Sequence, residues 1–390
     1  MLFALSGSSR RTRVRTLPRM NALRRPLGLA ASLVAFAMGC GDSAPSAADA
    51  AATDASADTV LADAATDTAS DAATDTATTG GSLRFLAQLN AGMGQLAEGI
   101  AVRDNAVYVG LAPTGQILRI DATGNATPFA QVPIPASTNP AAPNGYLLGL
   151  AFDRAGNLYA AAPSFGMAFQ PGIYRVAATG GTATLFARDT MGRMNFPNSI
   201  DFDAVGNLYV TDSASGSVFR VSPDGMTVTQ WVTSPLLTGV MGANPCSVGA
   251  GFPLGANGIA YDAAGMSVYV SNTDRATVVR IPVAADGAAG VPTVLAPQNC
   301  AILAGADGLA RGPDGALYIA SNVANVIARV SLDGSSVTAL ERGGILDSPA
   351  SIAFGSLGGS PSMYITNAAF TSAQTPGATP RPGVLVRTAP

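Results

Sequence analysis

The chain repeats one pattern of apolar and polar positions six times between residues 97 and 368. Each unit starts with an apolar run, passes through a tight polar turn such as DRAG at 153–156, and ends in an apolar-Tyr-apolar run. A turn of this kind between two short apolar runs is typical of a β-hairpin. A second hairpin follows, as in GSVFRVSPDG at 216–225, so the pattern predicts four strands in each unit.

The spacing of the repeats predicts the fold class. Equivalent positions in consecutive units lie 50, 50, 59, 50 and 43 residues apart. A repeat of this length with four strands is typical of a propeller blade. We therefore expect an all-β, six-bladed β-propeller with four antiparallel strands per blade over residues 82–390. The apolar run at 82–89 should pair with the C-terminal blade near 383–389, because this closure removes open sheet edges.

One position of the repeat carries oxygen ligands. This position, which we call the slot, opens the first strand of each unit, and that strand lines the axis of a propeller. The slots therefore should face one another at one end of the channel. In chain order the slot residues are Glu98, Leu148, Asn198, Asn257, Asp307 and Ala350.

The four polar slots suit a hard cation. Two carboxylates and two carboxamides match the preference of Ca²⁺ for six to eight oxygen ligands. The sequence thus predicts a site for Ca²⁺ or another hard divalent cation at Glu98, Asn198, Asn257 and Asp307. The alternative is that these side chains only cap turns at strand starts. No nucleotide, flavin or haem motif is present in the sequence, and the absence of His excludes catalytic triads and dyads built on that residue.

Further polar residues are expected around the same mouth. Asp212, Asn272 and Asn322 end second strands and should contact the metal ligands or a substrate, with turn capping as the alternative. Cys246 and Cys300 lie in loops that lead into adjacent blades on this face. A disulfide between them is expected in an exported protein, and two separate thiols are the alternative.

The N-terminus predicts export. Residues 10–25 contain seven Arg and no acid, and an apolar run at 27–39 precedes Cys40. Residues 1–40 therefore read as a signal peptide whose Cys40 is lipidated, with an ordinary secretory signal as the alternative. We expect a monomer that is lipid-anchored to the bacterial cell envelope, at the outer membrane or the cell surface, and that touches the membrane only through this anchor.

The rest of the composition agrees with an extracytoplasmic propeller on a tether. Residues 41–81 consist almost entirely of Ala, Asp, Thr and Ser and are predicted to be a disordered linker. The formal net charge is only −3, and no basic patch is legible. The sequence therefore gives no sign of a nucleic-acid partner.

The four polar slots also carry a family resemblance. The repeats resemble NHL-type propeller units, and the set of Glu98, Asn198, Asn257 and Asp307 resembles the calcium site of the gluconolactonase, senescence marker protein and luciferin-regenerating enzyme family. The resemblance covers 82–390. It implies a Ca²⁺-dependent hydrolase of a small-molecule lactone or ester, in which the ion polarises the carbonyl and Asp307 is the base or nucleophile.

The chain departs from that family near the substrate. Some members carry a lactone-binding Arg two residues before the first Asn, and Phe196 stands at that position here. The loop at 163–171 is apolar and aromatic. A more apolar ester or lactone is therefore expected.

A non-catalytic function is the alternative. A surface propeller of the same fold could bind an extracytoplasmic ligand or protein, with the ion only bracing the channel, since a fold does not determine a function.

Overall fold

The computed structural model describes residues 82–137, 143–242, 244, 246–247 and 251–390. The predicted signal peptide at 1–40, its lipidation site Cys40 and the predicted linker at 41–81 lie outside the described residues and stay predictions. Within the described part of the chain, no helix has the length and apolar character needed to cross a bilayer.

The described residues are almost entirely strands and turns. The helical segments are a 3₁₀ turn at Ala91–Met93 and two short helices, α1 at Cys300–Leu303 and α2 at Phe370–Gln374. The strands, in chain order, are β1 Arg84–Gln88, β2 Ala97–Arg103, β3 Ala106–Leu111, β4 Gln116–Ile120, β5 Ala126–Gln131, β6 Leu150–Phe152, β7 Leu158–Ala162, β8 Gly172–Val176, β9 Gly181–Thr182, β10 Thr184–Ala187, β11 Pro197–Phe202, β12 Leu208–Asp212, β13 Ser217–Val221, β14 Val228–Thr233, β15 Ala256–Asp262, β16 Ser267–Asn272, β17 Thr277–Pro282, β18 Thr293–Ala296, β19 Ala306–Arg311, β20 Leu317–Ser321, β21 Val326–Val330, β22 Val337–Arg342, β23 Pro349–Leu357, β24 Ser360–Asn367 and β25 Gly383–Thr388.

These strands form six sheets, which confirms the predicted six-bladed propeller with four antiparallel strands per blade. The last blade has the order β1-β25-β24-β23, so the first strand of the described chain completes the C-terminal blade as predicted. Blade 1 (β2–β5) gains a fifth strand, because the two-residue β9 from blade 2 pairs with β5 in parallel. No sequence pattern indicated this additional pairing.

A bulge marks the slot in the inner strands. The register between the first and second strand shifts at the slot in five blades, for example between Ala97 and Ile100 in blade 1 and between Ala306 and Leu309 in blade 5. A bulge bends its strand and re-aims the side chain at the bulge. The slot side chain is therefore released from the regular alternation of the sheet faces.

The inner strands approach closely at the bulge. A Cβ built on Gly258, which follows the slot Asn257, would lie 2.4 Å from the carbonyl oxygen of Asp307 in the next blade. Gly99, Gly149 and Gly308 follow their slots with similarly short approaches. Glycine is required at these positions because a side chain would push adjacent blades apart.

Hydroxyl groups join neighbouring blades at the same level. The hydroxyl of Thr366 in blade 6 donates a hydrogen bond of 2.7 Å to the carbonyl oxygen of Glu98 in blade 1. That of Ser271 in blade 4 donates one of 2.5 Å to the carbonyl oxygen of Asp307 in blade 5, and Thr211 bonds the carbonyl of Asn257 in the same way. The carbonyls that the bulges remove from the sheet ladders are thereby satisfied.

The Tyr of the repeat packs between blades. Tyr108 makes edge-to-face contacts with Phe129 of its own blade and with Phe152 of blade 2, at ring-centroid distances of 4.8 and 4.9 Å. The apolar-Tyr-apolar run therefore reflects blade-to-blade packing, in which aromatic pairs are favoured beyond the area that they bury.

We predict that ring closure depends on Thr366. This residue is fully buried, accepts the N–H of Ser351 at 2.8 Å and donates to the carbonyl of Glu98. Thr366→Val keeps the shape but leaves both buried groups unpaired, so the free energy of unfolding should fall by about 1–3 kcal/mol. Urea unfolding measures the change. The exposed Thr338→Val is the matched control, and an equal loss in both variants would contradict the assigned role.

Candidate metal centre

The slot residues are buried at one end of the axis. The exposed fractions are 3% for Glu98 and 5% for each of Asn198, Asn257 and Asp307. Each of these side chains sits at the start of an inner strand of a different blade. The two apolar slots, Leu148 and Ala350, are buried as well.

The two slot amides are oriented by hydroxyls of their own blades. The Nδ2 of Asn198 donates to the hydroxyl of Ser213 at 3.0 Å, and the Nδ2 of Asn257 donates to the hydroxyl of Thr273 at 2.9 Å. Because the nitrogen is held in each case, the Oδ1 atom is directed away from the hydroxyl. Each amide is thus held by a hydroxyl of its own blade, which leaves its oxygen free to accept another partner.

The carboxyl groups of Glu98 and Asp307 repel each other. Burial raises the pKa of Glu98 well above its ordinary value, and the charge of Asp307 raises it further. Burial raises the pKa of Asp307 to about 7, against the opposing hydrogen bonds of Asn322 and Asn257. Two carboxylates this close in a buried site disfavour joint ionisation unless a positive charge joins them.

Asn322 holds the carboxylate of Asp307. Its Nδ2 donates to Oδ2 of Asp307 at 3.1 Å. Strand pairing places Asn322 at the same position as Ser213 and Thr273, one residue beyond the last ladder pair of each second strand. In three blades, therefore, the residue at this position contacts the slot residue of its own blade.

Asp212 and Asn272 organise loops instead. They stand one position earlier than Asn322 in the repeat. Asp212 accepts the backbone N–H groups of Asn195 and Phe196 at 2.6 and 2.7 Å, and Asn272 donates to the carbonyls of Leu236 and Thr238. Their side chains thus fix the loops that lead into blades 3 and 4, and neither forms a hydrogen bond to a slot residue within the described ranges.

The donor set fits a divalent cation. Oε2 of Glu98 and Oδ1 of Asn257 are buried acceptors without a hydrogen-bond donor among the described residues. Unpaired buried acceptors are costly, and a cation would satisfy both. No three His, Cys, Asp or Glu residues in the described ranges lie together in a way that could hold a metal ion; two of the four donors here are amides. Hard oxygen donors of this kind suit Ca²⁺ or Mg²⁺ rather than a soft metal.

A cavity of about 280 Å³ runs along the axis, lined by the inner strands beyond the slots. Asp201, three residues past the slot Asn198, lies in this lining. Burial raises its pKa to about 6, while the backbone N–H groups of Tyr261 and Phe202 favour its ionised form. The pattern of slots did not indicate this second buried carboxyl.

The two cysteines are joined above blades 4 and 5. Cys246 and Cys300 form a disulfide with a Cα–Cα distance of 4.9 Å. The carbonyl of Cys246 accepts the N–H of Gly305 at 3.3 Å, two residues before Asp307. The bridge therefore fixes the loops on the side of the mouth where Asp307 lies.

The hydroxyls that position the slots were missed in the sequence. Thr211, Ser213, Ser271, Thr273 and Thr366 lie on or just after second strands that are otherwise apolar. The segments VTDS, VSNT and YITN could have indicated these contacts, because hydroxyl groups inside fully buried strands need hydrogen-bond partners.

Comparison with known proteins identifies the fold. No family model matches the sequence, and no curated protein matches it. Among solved structures, a gluconolactonase from Xanthomonas campestris aligns over 80% of this chain and 90% of its own, with a TM-score of 0.56 and 17% identity.

Two further structures align similarly. Regucalcin from Agrobacterium tumefaciens, a calcium-binding protein, covers 79% of this chain and 93% of its own, with a TM-score of 0.53 and 16% identity. A luciferin-regenerating enzyme covers 79% and 95%, with a TM-score of 0.55 and 14% identity. At these identities the likeness establishes the shared six-bladed fold.

The buried carboxyls predict a pH dependence without metal. These carboxyls hold their protons more tightly in the folded state than in the unfolded chain, where their pKa is about 4. Their protonation therefore contributes fully to the free energy of unfolding below about pH 4, and this contribution is lost as pH rises through the pKa of the folded state. For Asp307 that value is about 7. In chelator, the melting temperature of the wild type should therefore fall from about pH 5 to about pH 8.

Asp201 also has a raised pKa and contributes to the same pH dependence. Asp307→Asn removes only the contribution of the Glu98–Asp307 pair and leaves that of Asp201. Thermal melts of this variant in chelator should show a flatter pH profile than the wild type. Identical profiles would contradict the coupling of Glu98 with Asp307.

Proposed function

We propose that this protein is a Ca²⁺-dependent hydrolase of a carboxylic ester or lactone. The observation that carries the proposal is the pair of unpaired buried acceptors, Oε2 of Glu98 and Oδ1 of Asn257, beside a carboxyl group whose pKa is raised to about 7. A strongly shifted pKa beside a potential cation site is typical of catalytic centres.

The charged and the neutral ligands have different roles. Glu98 and Asp307 supply two negative charges, which balance one divalent cation, and Asn198 and Asn257 supply neutral oxygens. When bound, the ion would supply a Lewis acid for the carbonyl oxygen of the substrate. The apolar slots Leu148 and Ala350 leave the remaining coordination positions to water or substrate.

Asp307 is the proposed base or nucleophile. As a base, its carboxylate accepts a proton from water, whose oxygen bonds to the carbonyl carbon, and the ester C–O bond then breaks as the leaving alkoxide takes the proton. As a nucleophile, it bonds to that carbon itself while the ester C–O bond breaks, and the alkoxide leaves with a proton from water. The resulting hydroxide then cleaves the acyl-aspartyl anhydride, which restores the carboxylate and releases the acid. In both routes Asn322 keeps Oδ2 of Asp307 in place through its 3.1 Å hydrogen bond.

The proteins that share this fold guide the choice of substrates. They include a gluconolactonase and a calcium-binding regucalcin, so lactones and calcium are the first to test.

Asp307→Asn tests the assigned role. The substitution keeps an oxygen but removes the base and one charge. Turnover of lactones or aryl esters should fall at least about 10²-fold, the low end for a positioned general base. Calcium should still bind, but with lower affinity, because the site loses one formal charge. Steady-state kinetics and calcium titration by calorimetry measure both effects.

Asp201→Asn is the matched control, since it removes another buried carboxylate of the same channel away from the slots. It should leave turnover and calcium affinity near those of the wild type. Full activity in Asp307→Asn would refute the catalytic role. Calcium binding without any turnover would instead favour a binding propeller with a structural ion.

A further inference from the structure

Five aromatic rings form a continuous row over the slot end of the propeller, which we call the aromatic arc. Consecutive rings lie 6.4, 5.1, 6.0 and 5.5 Å apart between centroids. These are contact distances for aromatic pairs. In order of contact the arc consists of Phe370, Tyr146, Phe165, Phe196 and Phe252.

The arc belongs to the mouth because two members are tied to slots. Tyr146 and Phe196 each lie two residues before a slot, in blades 2 and 3. Phe165 contacts both rings from the loop between β7 and β8. The other four blades place smaller or aliphatic residues at this position: Leu96, Gly255, Gly305 and Ser348.

The arc joins loops that start from separate blades. Its first ring, Phe370, begins α2 of the C-terminal blade, and its last ring, Phe252, lies in the loop that leads into blade 4. The α2 segment is fixed to the scaffold, because the hydroxyl of Ser372 and the N–H of Arg381 donate to Oδ2 of Asp347 at 2.7 and 2.8 Å. The arc therefore has an anchored segment at its Phe370 end.

The mouth combines aromatic rings with oxygen donors. Blades 2 and 3 contribute the central rings of the arc. The slots contribute the oxygen ligands, with Asn198 in blade 3 among them, and Asn322 lies beside Asp307. A ligand at this mouth therefore meets aromatic faces next to the oxygen donors of the slots.

One feature indicates a ligand beside the metal ion rather than mere loop packing. The hydroxyl of Tyr146 makes no hydrogen bond within the described ranges, although its ring is half-buried. A partly buried tyrosine ordinarily finds a partner for its hydroxyl, so this group is available to a bound molecule.

We propose, resting on the proposed function, that the substrate carries an aromatic ring next to its ester or lactone group. The ring packs against Tyr146, Phe165 and Phe196 while the carbonyl oxygen faces the slot ligands. The hydroxyl of Tyr146 is the one polar side-chain group among the five arc residues, so most hydroxyls of a polyhydroxylated sugar lactone would find no partner on the arc. The arc is thus a specificity site for aryl compounds.

The test uses matched ligands that differ only by a ring. Calorimetry with the purified full-length protein in calcium compares phenylacetate with acetate. Kinetics compare γ-phenyl-γ-butyrolactone with γ-butyrolactone. The phenyl member of each pair should be favoured at least about tenfold, in affinity and in kcat/KM, as burial of a ring predicts.

Phe165→Leu should reduce both preferences about three- to tenfold, because it removes the central ring of the arc. The control is Phe169→Leu, in the same loop, whose ring packs against the core of blades 1 and 2 rather than on the arc. It should keep both preferences. Calcium affinity should be unchanged in Phe165→Leu, which separates loss of the ring from damage to the slots.

The outcomes separate this inference from the proposed function. A preference for phenylacetate without turnover of any lactone would reject the hydrolase and keep the aromatic site. Equal binding of phenylacetate and acetate would overturn the inference, even in an active enzyme. Equal losses in the two Leu variants, or faster turnover of gluconolactone than of the phenyl lactone, would overturn it as well.

Discussion

The mutual repulsion of two buried carboxyl groups is the interaction on which this account depends. Glu98 and Asp307 come from different blades; burial raises the pKa of both, and the charge of Asp307 raises that of Glu98 further. A fold keeps such a pair only where a proton or a cation joins it. The unpaired oxygens of Glu98 and Asn257 favour the cation, because a shared proton would leave one of these acceptors unsatisfied.

The scaffold holds this pair through its bulges. Each bulge turns a slot side chain out of the sheet, and the closed ring brings the slots together. Glycines after the slots permit this close approach, and hydroxyls bond the slot carbonyls, as Thr366 does with Glu98. The same hydroxyl chemistry orients Asn198 and Asn257. Ring closure and the geometry of the site therefore depend on one layer of contacts.

The sequence predicted the features that repeat. The repeat of apolar runs was enough to predict the number of strands and blades, the closure by β1 and the slot residues. Features that do not follow the repeat could not be predicted from it. Strand pairing places Asn322 one position later than Asp212 and Asn272, so the latter two were expected at the site and instead fix loops. The aromatic arc draws on loops of unrelated length, where proximity cannot be inferred from spacing.

The central claim is that the four slot oxygens bind a divalent cation, and a crystal structure determined in calcium tests it most directly. The account predicts one ion on the axis, with oxygens of Glu98, Asn198, Asn257 and Asp307 at about 2.3–2.6 Å and water in the remaining positions. An axis without an ion at saturating calcium, with Glu98 and Asp307 hydrogen-bonded to each other through a shared proton, would contradict it.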